Sequence, residues 1–520
     1  MEFIEGVKAF TIFAGSTMVG GEILAYYLKN RLEKNKNKLA NGNLISKNDI
    51  LDILGNDGLI LSKDIQLKEK YDYEGSVIFG ATGSKKTTST YVPNLLKNNL
   101  KGSIVVTDPK GELFKITSGY QKEVCKRKVL KFSPLEPEYS EKYNLLTSCK
   151  DNMEVLELAQ SLIFNGCLSI ELSTGKKVGG MEWIQMAQPY LASALLYCKD
   201  LEYPFNTIEF AFQLLITLKD KELDVLFTNS KNYDCITQWR IYKTVGKADR
   251  TEGSIKITFA TNMQLFVDER INKACGSTTF NFEDFRKEPT ILYICYPEHK
   301  ANYISPFIAP FLSKMFNDLI ECYNKKSLPI TFLCDEAGNI GQITNLANKV
   351  STVRSREISV NICLQGLTQL YQIYGKDNAT TILNNLKTKL IFPSMSDEEA
   401  LKYISTLCGE KEIETISRNE NKSGTSTSYN KTKIRMFSES DLRCLNDDEF
   451  LLITSNKQPI LSKQNTYFTN NEYTQNIKEP VKIERKPVKR YDLLDHIEDL
   501  KVDLAIEKED NFDIRKDLFR

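Results

Sequence analysis

The hydrophobic pattern divides the chain into two stretches of alternating strands and helices, separated by a long helical stretch. Short apolar runs bounded by polar residues predict β-strands. They lie at 76–79, 103–108, 129–132, 290–295, 330–335, 359–365, 389–392 and 449–453. Between about 150 and 275 the apolar residues recur at the spacing of amphipathic helices instead. Strands that alternate with helices are typical of a mostly parallel sheet covered by helices. We therefore expect an α/β fold interrupted by an inserted all-α domain.

The N-terminus carries one hydrophobic stretch, Ala9–Leu28, with Glu22 as its single charge. Twenty residues are just enough to span a bilayer. Residues 29–38 follow with five positive charges and one negative charge, which by the positive-inside rule places the rest of the chain in the cytoplasm. We predict a single-pass membrane segment, with a buried or interfacial helix as the alternative. Gly15 and Gly20–Gly21 would let a partner helix approach closely.

Length and composition bound the remaining possibilities. At 520 residues, the chain has material for about three domains or two large ones. Its 41% hydrophobic and 26% charged residues are an ordinary globular composition. The net charge is only +1, so any nucleic-acid contact must come from local patches. Twelve scattered cysteines without a CxxC pair, and two histidines, disfavour a zinc site and a disulfide scaffold. We predict these parts: 1–38 membrane segment and basic flank, 39–150 first part of a nucleotide-binding domain, 151–280 all-α domain, 281–475 second part of the nucleotide-binding domain, 476–520 charged tail.

The strongest chemical signal is the segment Gly80–Thr87 (GATGSKKT), which follows an apolar strand and precedes a helical stretch. This is the context of a phosphate-binding loop, in which backbone N–H groups and a helix N-terminus face the phosphates. In the pattern G-x-x-x-x-G-K-[ST], Lys86 would reach the terminal phosphates and Thr87 would bind Mg²⁺, which predicts a nucleoside triphosphate as ligand. The predicted nucleotide-binding residues are Gly80, Ala81, Thr82, Gly83, Ser84, Lys85, Lys86 and Thr87.

Lys85 departs from the pattern, which has glycine at that position. A glycine there permits backbone conformations that cost another residue roughly 1–3 kcal/mol. Three interpretations stay open. The loop adapts with Lys85 pointing outward, nucleotide binding is weakened, or hydrolysis is lost while binding is kept.

Further site residues follow later strands. Asp335 and Glu336 end an apolar strand, as a Walker B pair does, so Asp335 would hold Mg²⁺ and Glu336 would polarise the attacking water. The alternative is an acidic helix cap. Gln365, at another strand end, would sense the γ-phosphate or orient water, unless it is ordinary strand-end chemistry. Arg354 and Arg356 are candidates for an arginine finger supplied to a neighbouring subunit, which would require an oligomer. Exposed basic surface is the other interpretation.

Four further features of the sequence are polar or charged. The basic run at 122–131, and Lys349 together with the two arginines, are candidate patches for single-stranded DNA. The polar segment Asn419–Lys431 is predicted to be a mobile loop. The tail begins near Asn476, with six basic and two acidic residues at 478–490 and an acidic end. It is either a solvated end or a docking segment.

Several of these segments together resemble a known family. They are DEAGNIGQI at 335–343, STVRSR at 351–356, LQGLTQLYQIYG at 364–375, VVTDPKGEL at 105–113, FSPL at 132–135 with YNLL at 143–146, and the stretch 438–453. The combination resembles the coupling proteins of type IV secretion systems, the TraG/TraD family, over roughly residues 70–470.

The resemblance implies a RecA-like ATPase domain interrupted by an all-α domain. Family members form hexamers anchored in the bacterial cell membrane, and they pass a relaxase–DNA complex to the secretion channel in an ATP- and Mg²⁺-dependent way. Carried onto this chain, Lys86 and Thr87 would bind phosphate and Mg²⁺. Asp335 and Glu336 would be the Walker B pair, and Gln365 a sensor-like residue. Arg354 or Arg356 would be the finger.

The chain departs from the family pattern in its membrane part. Family members commonly have two membrane helices, whereas this chain offers at most one, so a separate membrane subunit could supply the rest. The partners implied are a relaxase, single-stranded DNA, channel subunits and further copies of the chain. Two alternatives remain: a substrate receptor that hydrolyses ATP poorly because of Lys85, and an FtsK-type DNA translocase. The helical insertion and the Gln-rich segment 364–371 argue against the translocase. A metabolic kinase is remote.

Overall fold

The computed structural model describes residues 50–177, 180–246, 249–421, 424–487 and 493–501. The predicted membrane segment Ala9–Leu28 and its basic flank lie outside the described residues, as does most of the acidic tail. The structural account below concerns the described residues.

A nine-stranded sheet forms the centre of the molecule, in the order β11-β10-β7-β1-β6-β5-β2-β4-β3. The strands are β1 Ser76–Phe79, β2 Ser103–Asp108, β3 Lys128–Phe132, β4 Thr290–Cys295, β5 Ile330–Cys334, β6 Ile358–Leu364, β7 Thr388–Ile391, β8 Glu410–Asn421, β9 Gly424–Arg435, β10 Glu449–Thr454 and β11 Ile460–Lys463. Neighbours from β7 to β3 pair in parallel, and β10 and β11 add antiparallel pairs at one edge. The predicted α/β fold with a mostly parallel sheet is confirmed, and the ends of all eight predicted strands agree to within one residue.

Helices cover the sheet, and eight of them lie between β3 and β4 where the sequence pattern is helical. The α-helices of the described residues are α1 Glu69–Asp72, α2 Lys86–Leu95, α3 Glu112–Glu123, α4 Leu145–Ser148, α5 Asn152–Thr174, α6 Met181–Lys199, α7 Ile208–Thr217, α8 Asp220–Thr228, α9 Tyr233–Val245, α10 Asp249–Asn262, α11 Glu269–Cys275, α12 Ala301–Glu321, α13 Leu346–Thr352, α14 Leu367–Asn385, α15 Glu398–Cys408, α16 Glu439–Arg443 and α17 Asn471–Asn476. Residues 493–501 are also helical. We refer to α4–α11 as the helical segment.

Both faces of the sheet are buried. Val77 and Phe79 of β1 pack into one core with the helical segment, α12 and α14, whereas Ile78 packs into a second core with α2, α3 and residues 50–67. Strands buried on both faces carry apolar residues at almost every position. This explains why the sequence shows them as continuous apolar runs.

Among the described helices, α5 is long and apolar enough to cross a membrane. It packs against α6 and α12, and most of it is buried inside the protein. Core helices of soluble proteins meet the same criteria of length and composition. We therefore interpret α5 as a core helix of the helical segment.

The prediction of a loop at Asn419–Lys431 is wrong. Residues 419–421 and 424–431 belong to a long hairpin in which β8 pairs with β9 from Glu410 opposite Arg435 to Asn421 opposite Gly424. The hairpin pairs with no other strand in the described part of the chain. The polar composition of this stretch does not show the apolar alternation from which a strand is predicted. Its content of Thr and Tyr, which favour strands, was the available signal.

Each of the two predicted basic patches contains one residue that is buried and not part of the surface. These residues are Arg127 and Lys349. The guanidinium of Arg127 donates to the carbonyl oxygens of Leu100 and Gly102. The Lys349 ammonium lies 3.1 Å from the carbonyl oxygen of Ser313, and burial lowers the pKa of Lys349 to about 8. Both side chains satisfy backbone carbonyls inside the protein, so the prediction that they form a DNA-facing surface is wrong.

The described part of the tail docks on its own chain. The main-chain N–H of Val481 donates to a hydroxyl of α3 at 3.0 Å, and Arg485 Nε lies 2.6 Å from Glu138 Oε2. Further along, the ring of His496 stacks on Phe205 of the helical segment, with 3.9 Å between centroids. Of the two interpretations of the tail, docking describes residues 478–487 and 493–501.

Candidate nucleotide-binding site

The predicted site residues from three separate motifs meet at one edge of the sheet. Strands β1, β6, β5 and β2 are parallel neighbours, so their carboxyl ends lie side by side. Gly80 follows β1, Gln365 follows β6 and Asp335 follows β5. In open parallel sheets, ligands bind in the crevice outside the carboxyl ends of the strands. The chain order therefore places the phosphate loop and the acidic pair in one crevice.

The loop between β1 and α2 is tightly built. A Cβ atom at Gly80 would lie 2.5 Å from Ser84 Oγ and 2.9 Å from Phe392 Cβ, so only glycine fits there. Gly83 has a φ of +81°, in the left-handed region that glycine adopts without strain. The main-chain N–H of Gly80 donates to the carbonyl oxygen of Leu364 at 3.1 Å, which fastens the loop to the end of β6.

Lys85 adopts the backbone conformation that the sequence pattern reserves for glycine. Its φ is 66° and its ψ is 15°, and its side chain is exposed. The next residue, Lys86, begins α2 and is buried. The loop thus turns Lys85 outward and Lys86 inward, which is the geometry of the first of the three interpretations. The left-handed backbone at a non-glycine residue costs roughly 1–2 kcal/mol.

Replacing Lys85 with glycine is expected to stabilise the protein. Relief of the left-handed backbone outweighs the extra freedom of glycine in the unfolded chain, which costs roughly 0.5–1 kcal/mol. We expect the free energy of unfolding to rise by up to about 1 kcal/mol, measured as a higher unfolding midpoint. Lys126→Gly is the matched control, because Lys126 is also exposed with a φ of 56° but lies in another turn. A destabilised Lys85→Gly beside a stabilised Lys126→Gly would contradict the account.

Lys86 and Glu336 form a buried ion pair in the crevice. Lys86 Nζ lies 3.2 Å from Glu336 Oε1, and each side chain is no more than 7% exposed. Burial acts to lower the pKa of Lys86, but the nearby carboxylates of Glu336 and Asp335 act against it, and the pKa is raised overall. Lys86 is therefore a charged ammonium held inside the protein. A buried ammonium needs anionic partners to offset its loss of hydration. The oxygen atoms of a phosphate group are anionic partners of this kind.

Thr87 and Asp335 provide the oxygen atoms that suit Mg²⁺. Thr87 Oγ1 donates to the Asp335 carboxylate, with 3.0 Å to each oxygen. Burial and the neighbouring Glu336 raise the pKa of Asp335 to about 6, and a cation against this carboxylate would favour its ionised form. In the loop, the buried Ser84 Oγ has no hydrogen-bond partner among the described residues. A hydroxyl, a carboxylate and an unsatisfied loop hydroxyl fit a magnesium–phosphate ligand.

Gln365 and Lys86 hold the two oxygens of the Glu336 carboxylate between them. Gln365 Nε2 donates to Glu336 Oε2 at 2.9 Å, while Lys86 contacts Oε1. Glu336 itself has a left-handed backbone with a φ of 50°. The main-chain N–H of Gln365 donates to Gln369 Oε1 at 3.1 Å. The carboxylate is thus fixed in direction, which is what a group that polarises a water molecule requires.

Arg354 and Arg356 do not reach this crevice within one chain. Both lie before β6, at the amino end of the strand, while Gln365 follows its carboxyl end. Seven residues of strand separate the two edges by about 23 Å at roughly 3.3 Å per residue. Arg354 Nη2 lies 2.9 Å from Glu74 Oε1, and the Arg356 guanidinium lies 5.7 Å from the ring centroid of Tyr323. Neither arginine can therefore act on the nucleotide site of its own chain in this conformation.

The sequence interpretation missed two residues that shape the site, Thr107 and Gln369. Thr107 Oγ1 donates to the carbonyl oxygen of Asp335 at 2.8 Å and so fixes the end of β5. Gln369, in the first turn of α14, accepts the hydrogen bond from the main-chain N–H of Gln365. Both left a signal in the sequence. Thr107 is a polar residue near the end of a buried apolar strand, and Gln369 is a second glutamine four positions after Gln365.

Comparison with known sequences gives consistent matches. The family model described as "Type IV secretory system Conjugative DNA transfer" matches residues 28–490. Protein VirD4 of Agrobacterium fabrum (strain C58 / ATCC 33970) is 24% identical over 408 residues, which is 75% of this chain and 56% of VirD4. The conjugal transfer protein TraG of Escherichia coli is 24% identical over 366 residues, which is 65% of this chain and 56% of TraG. The chain spans about half the length of the curated relatives it matches.

Solved structures show the same fold. The unbound monoclinic form of the bacterial conjugative coupling protein TrwBΔN70 superposes with a TM-score of 0.63 at 13% identity, covering 85% of this chain and 94% of that one. The plasmid coupling protein TrwB in complex with ADP and Mg²⁺ gives a TM-score of 0.62 at 12% identity, covering 86% and 95%. At this identity the likeness shows the fold alone, a mixed α/β architecture with a mostly parallel sheet.

Proposed function

This chain belongs to the type IV secretory system conjugative DNA transfer family, and from that premise we propose that it is an ATP-dependent coupling protein. In this role it recruits a relaxase bound to single-stranded DNA and passes the complex to the secretion channel during conjugation. One observation carries the proposal. The buried Lys86 and Glu336 pair lies beside Thr87 and Asp335 at the carboxyl edge of a parallel sheet. TrwB, which shares the fold, has been solved with ADP and Mg²⁺.

Each residue of the site has a role in ATP hydrolysis. The backbone N–H groups of the loop and the Lys86 ammonium bind the β- and γ-phosphates. Thr87 and Asp335 hold Mg²⁺, which when bound neutralises charge on the phosphate oxygens. Glu336 polarises the attacking water, and Gln365 holds the Glu336 carboxylate in direction through its 2.9 Å hydrogen bond.

We also assign a role in the coupling protein to each remaining part of the chain. Residues 39–150 and 281–475 form the nucleotide-binding domain, and 151–280 form an inserted all-α domain that reads the cargo. Residues 1–38 anchor the chain in the bacterial cell membrane as a single-pass protein, with the bulk of the chain in the cytoplasm. A separate membrane subunit completes the anchor. The helical segment between β3 and β4 supports the division of the nucleotide-binding domain. The hydrophobic stretch Ala9–Leu28 and its basic flank support the anchor.

Mating frequency tests this role directly. Donor cells that carry Lys86→Ala in place of the wild-type chain are expected to transfer DNA only at background level. Lys85→Ala is the matched control, because Lys85 is the adjacent lysine and points into solvent. Unchanged transfer with Lys86→Ala would contradict an ATP-dependent role.

A substrate receptor that hydrolyses ATP poorly is the second candidate. The left-handed Lys85 at the glycine position of the loop favours it. This candidate predicts that the wild-type chain binds ATP with little turnover in the presence of DNA, and that Lys85→Gly raises the turnover. The coupling ATPase predicts turnover that is already present with Lys85.

We place Arg354 or Arg356 in the role of an arginine finger that acts on the neighbouring subunit of a hexamer. The support is their position at the sheet edge opposite the site of their own chain.

Loss of the finger is expected to lower ATP turnover about 10³-fold or more, with ATP binding largely kept. Arg354→Ala and Arg356→Ala serve as controls for each other. Mixing the inactive arginine variant with Lys86→Ala is expected to restore some turnover. In mixed oligomers, the intact nucleotide site of an arginine-variant subunit can lie beside the intact arginine of a Lys86→Ala subunit. Full activity of both single variants would contradict the finger.

A further inference from the structure

The loop that follows β5 connects the candidate site to the helical segment through a buried asparagine. Asn165 of α5 is 1% exposed and binds both main-chain polar groups of Gln342. The main-chain N–H of Gln342 donates to Asn165 Oδ1 at 2.7 Å, and Asn165 Nδ2 donates to the carbonyl oxygen of Gln342 at 3.2 Å. Gln342 lies six positions after Glu336. The helical segment thus binds the backbone of the same loop that begins with the catalytic candidate.

The loop fits closely against the helices at this point. Gly341 has a φ of +82°, and a Cβ atom there would lie 2.7 Å from Asn165 Oδ1 and 3.1 Å from Ala309 Cβ. Beyond Gln342, the hydroxyl of Thr344 donates to Ser161 Oγ of α5 at 3.3 Å. No side chain fits at position 341 unless Asn165 shifts, so the loop and α5 are closely packed at this point.

The same loop is also tied to the helix that follows Gln365. Gln342 Nε2 donates to the carbonyl oxygen of Ile373 at 2.9 Å, and the main-chain N–H of Ile343 donates to the hydroxyl of Tyr374 at 3.1 Å. Helix α14 is interrupted directly afterwards at Gly375, which has a φ of 73° and a ψ of 163°. The part of α14 that moves with Gln365 therefore ends where the loop is attached.

We propose that Asn165 is a positioning residue that couples the nucleotide site to the helical segment by holding the main chain of Gln342. The inference rests on the proposed ATPase function and adds the residue through which the site and the helical segment affect each other. Glu336 and Gln365 lie where the γ-phosphate and the attacking water would bind. Glu336 begins the loop that contains Gln342, and Gln365 precedes α14, which Gln342 contacts at Ile373. A shift of these side chains on hydrolysis is transmitted through the loop to α5.

The physical reason is the cost of leaving buried backbone groups unpaired. Without the Asn165 amide, the N–H and the C=O of Gln342 lose the partner that binds both of them, and unpaired buried groups are strongly disfavoured. The loop then shifts to find other partners, and Glu336 moves with it. Since misplacement of a catalytic group by about 1 Å can cost up to a hundredfold in rate, we expect kcat to fall between tenfold and about a hundredfold.

Hydrogen exchange of the wild-type, full-length chain tests the coupling without any variant. The measurement compares amide exchange with a non-hydrolysable ATP analogue and with ADP. We expect the amides of α5, residues 152–174, to exchange at clearly different rates in the two states. An α5 that exchanges identically in both states, in a chain that turns over ATP, would overturn this inference alone. A chain that neither binds nor hydrolyses ATP would overturn the proposed function and this inference with it.

Variants of Asn165 then test the residue itself. Asn165→Asp keeps the acceptor for the Gln342 N–H but replaces the donor to its carbonyl oxygen with an oxygen atom. We expect kcat to fall at least tenfold with a KM for ATP within about twofold of wild type, and the nucleotide dependence of exchange in α5 to disappear. The matched control is Asn272→Asp, in a buried asparagine of the helical segment whose Nδ2 donates to the carbonyl oxygen of Phe266 at 2.9 Å.

The control separates coupling from folding. If Asn165 were merely structural, both variants would lower the unfolding temperature and neither would change the response of α5 to nucleotide. Retention of the wild-type exchange response in a folded Asn165→Asp would overturn the proposal. If Asn165→Asp does not fold, the exchange of α5 in the wild-type chain still decides the coupling. Gln342→Glu then tests the link through α14, because it keeps the main-chain contacts to Asn165 and removes only the donor to Ile373. We expect that variant to weaken the exchange response, and an unchanged response would overturn the link through α14.

Discussion

Replacing Glu336 with glutamine is expected to lower ATP turnover by about 10²- to 10⁴-fold while ATP remains bound. The amide has the size and shape of the carboxylate but cannot accept a proton from the attacking water. Lys86 and Gln365 hold the two carboxylate oxygens from opposite sides at 3.2 Å and 2.9 Å. A glutamine can offer an oxygen to only one of them, so the carboxamide also loses part of its fixed direction. The measurement is single-turnover ATP hydrolysis together with equilibrium binding of ATP.

Glu298→Gln is the matched control for this variant. Glu298 follows β4 at the same edge of the sheet and pairs with Lys110 at 3.5 Å in a partly exposed position. We expect turnover of Glu298→Gln to stay at the wild-type level, because the group it removes lies outside the contacts of Lys86, Thr87 and Asp335. Wild-type turnover in Glu336→Gln would show that another group activates the water.

Replacing Lys86 with alanine is expected to abolish both tight ATP binding and turnover. Lys86 supplies the buried cation for the terminal phosphates, and its Nζ is also the partner of the buried Glu336 carboxylate. Removal leaves that carboxylate inside the protein without its cationic partner, and breaking a buried ion pair in this way typically costs about 3–5 kcal/mol. We therefore expect a lower unfolding midpoint together with the loss of binding, measured by calorimetry.

A double variant separates these two effects. Lys86→Ala combined with Glu336→Gln removes both charges of the pair, so we expect it to recover most of the lost stability but neither ATP binding nor turnover. Lys85→Ala serves as the control for a lost lysine in the same loop. ATP binding at wild-type affinity in Lys86→Ala would contradict the assignment of this loop to phosphate binding.

The parts of the fold that the sequence predicts well are those with a strong local pattern. The central strands are buried on both faces, so β2 and β5 appear as unbroken apolar runs whose ends are marked by Asp108 and Asp335. The site follows from the same pattern, because parallel strands bring their carboxyl ends together. That geometry places Gly80, Gln365 and Asp335 side by side although they lie far apart in the chain.

Features that depend on distant contacts or on exposed backbone are not visible in a local pattern. Asn165 lies 177 residues before Gln342, and nothing in its own helix distinguishes it from a buried polar residue of the core. Lys349 is a cation in the sequence, but its ammonium is satisfied by a backbone carbonyl inside the protein. The β8–β9 hairpin pairs with no other strand of the described residues, and its sequence lacks the apolar alternation that predicts a strand.

Lys85 has one feature that the sequence predicts and one that only the folded structure shows. The sequence shows that it occupies a glycine position, and the physical chemistry of the backbone gives the cost of this choice. Only the folded loop shows that its side chain is exposed while the neighbouring Lys86 is buried. Strain at one loop residue is compatible with a site whose other members are paired by hydrogen bonds, because the surrounding contacts hold the loop in place.

ATP turnover of the full-length chain, with and without single-stranded DNA, tests the central claim most directly. The account predicts a basal rate that DNA raises and that Lys86→Ala abolishes, because the loop with Lys85 in its left-handed conformation still presents Lys86 to the phosphates. Binding of ATP without turnover at any DNA concentration would contradict a coupling ATPase and would favour the receptor function instead.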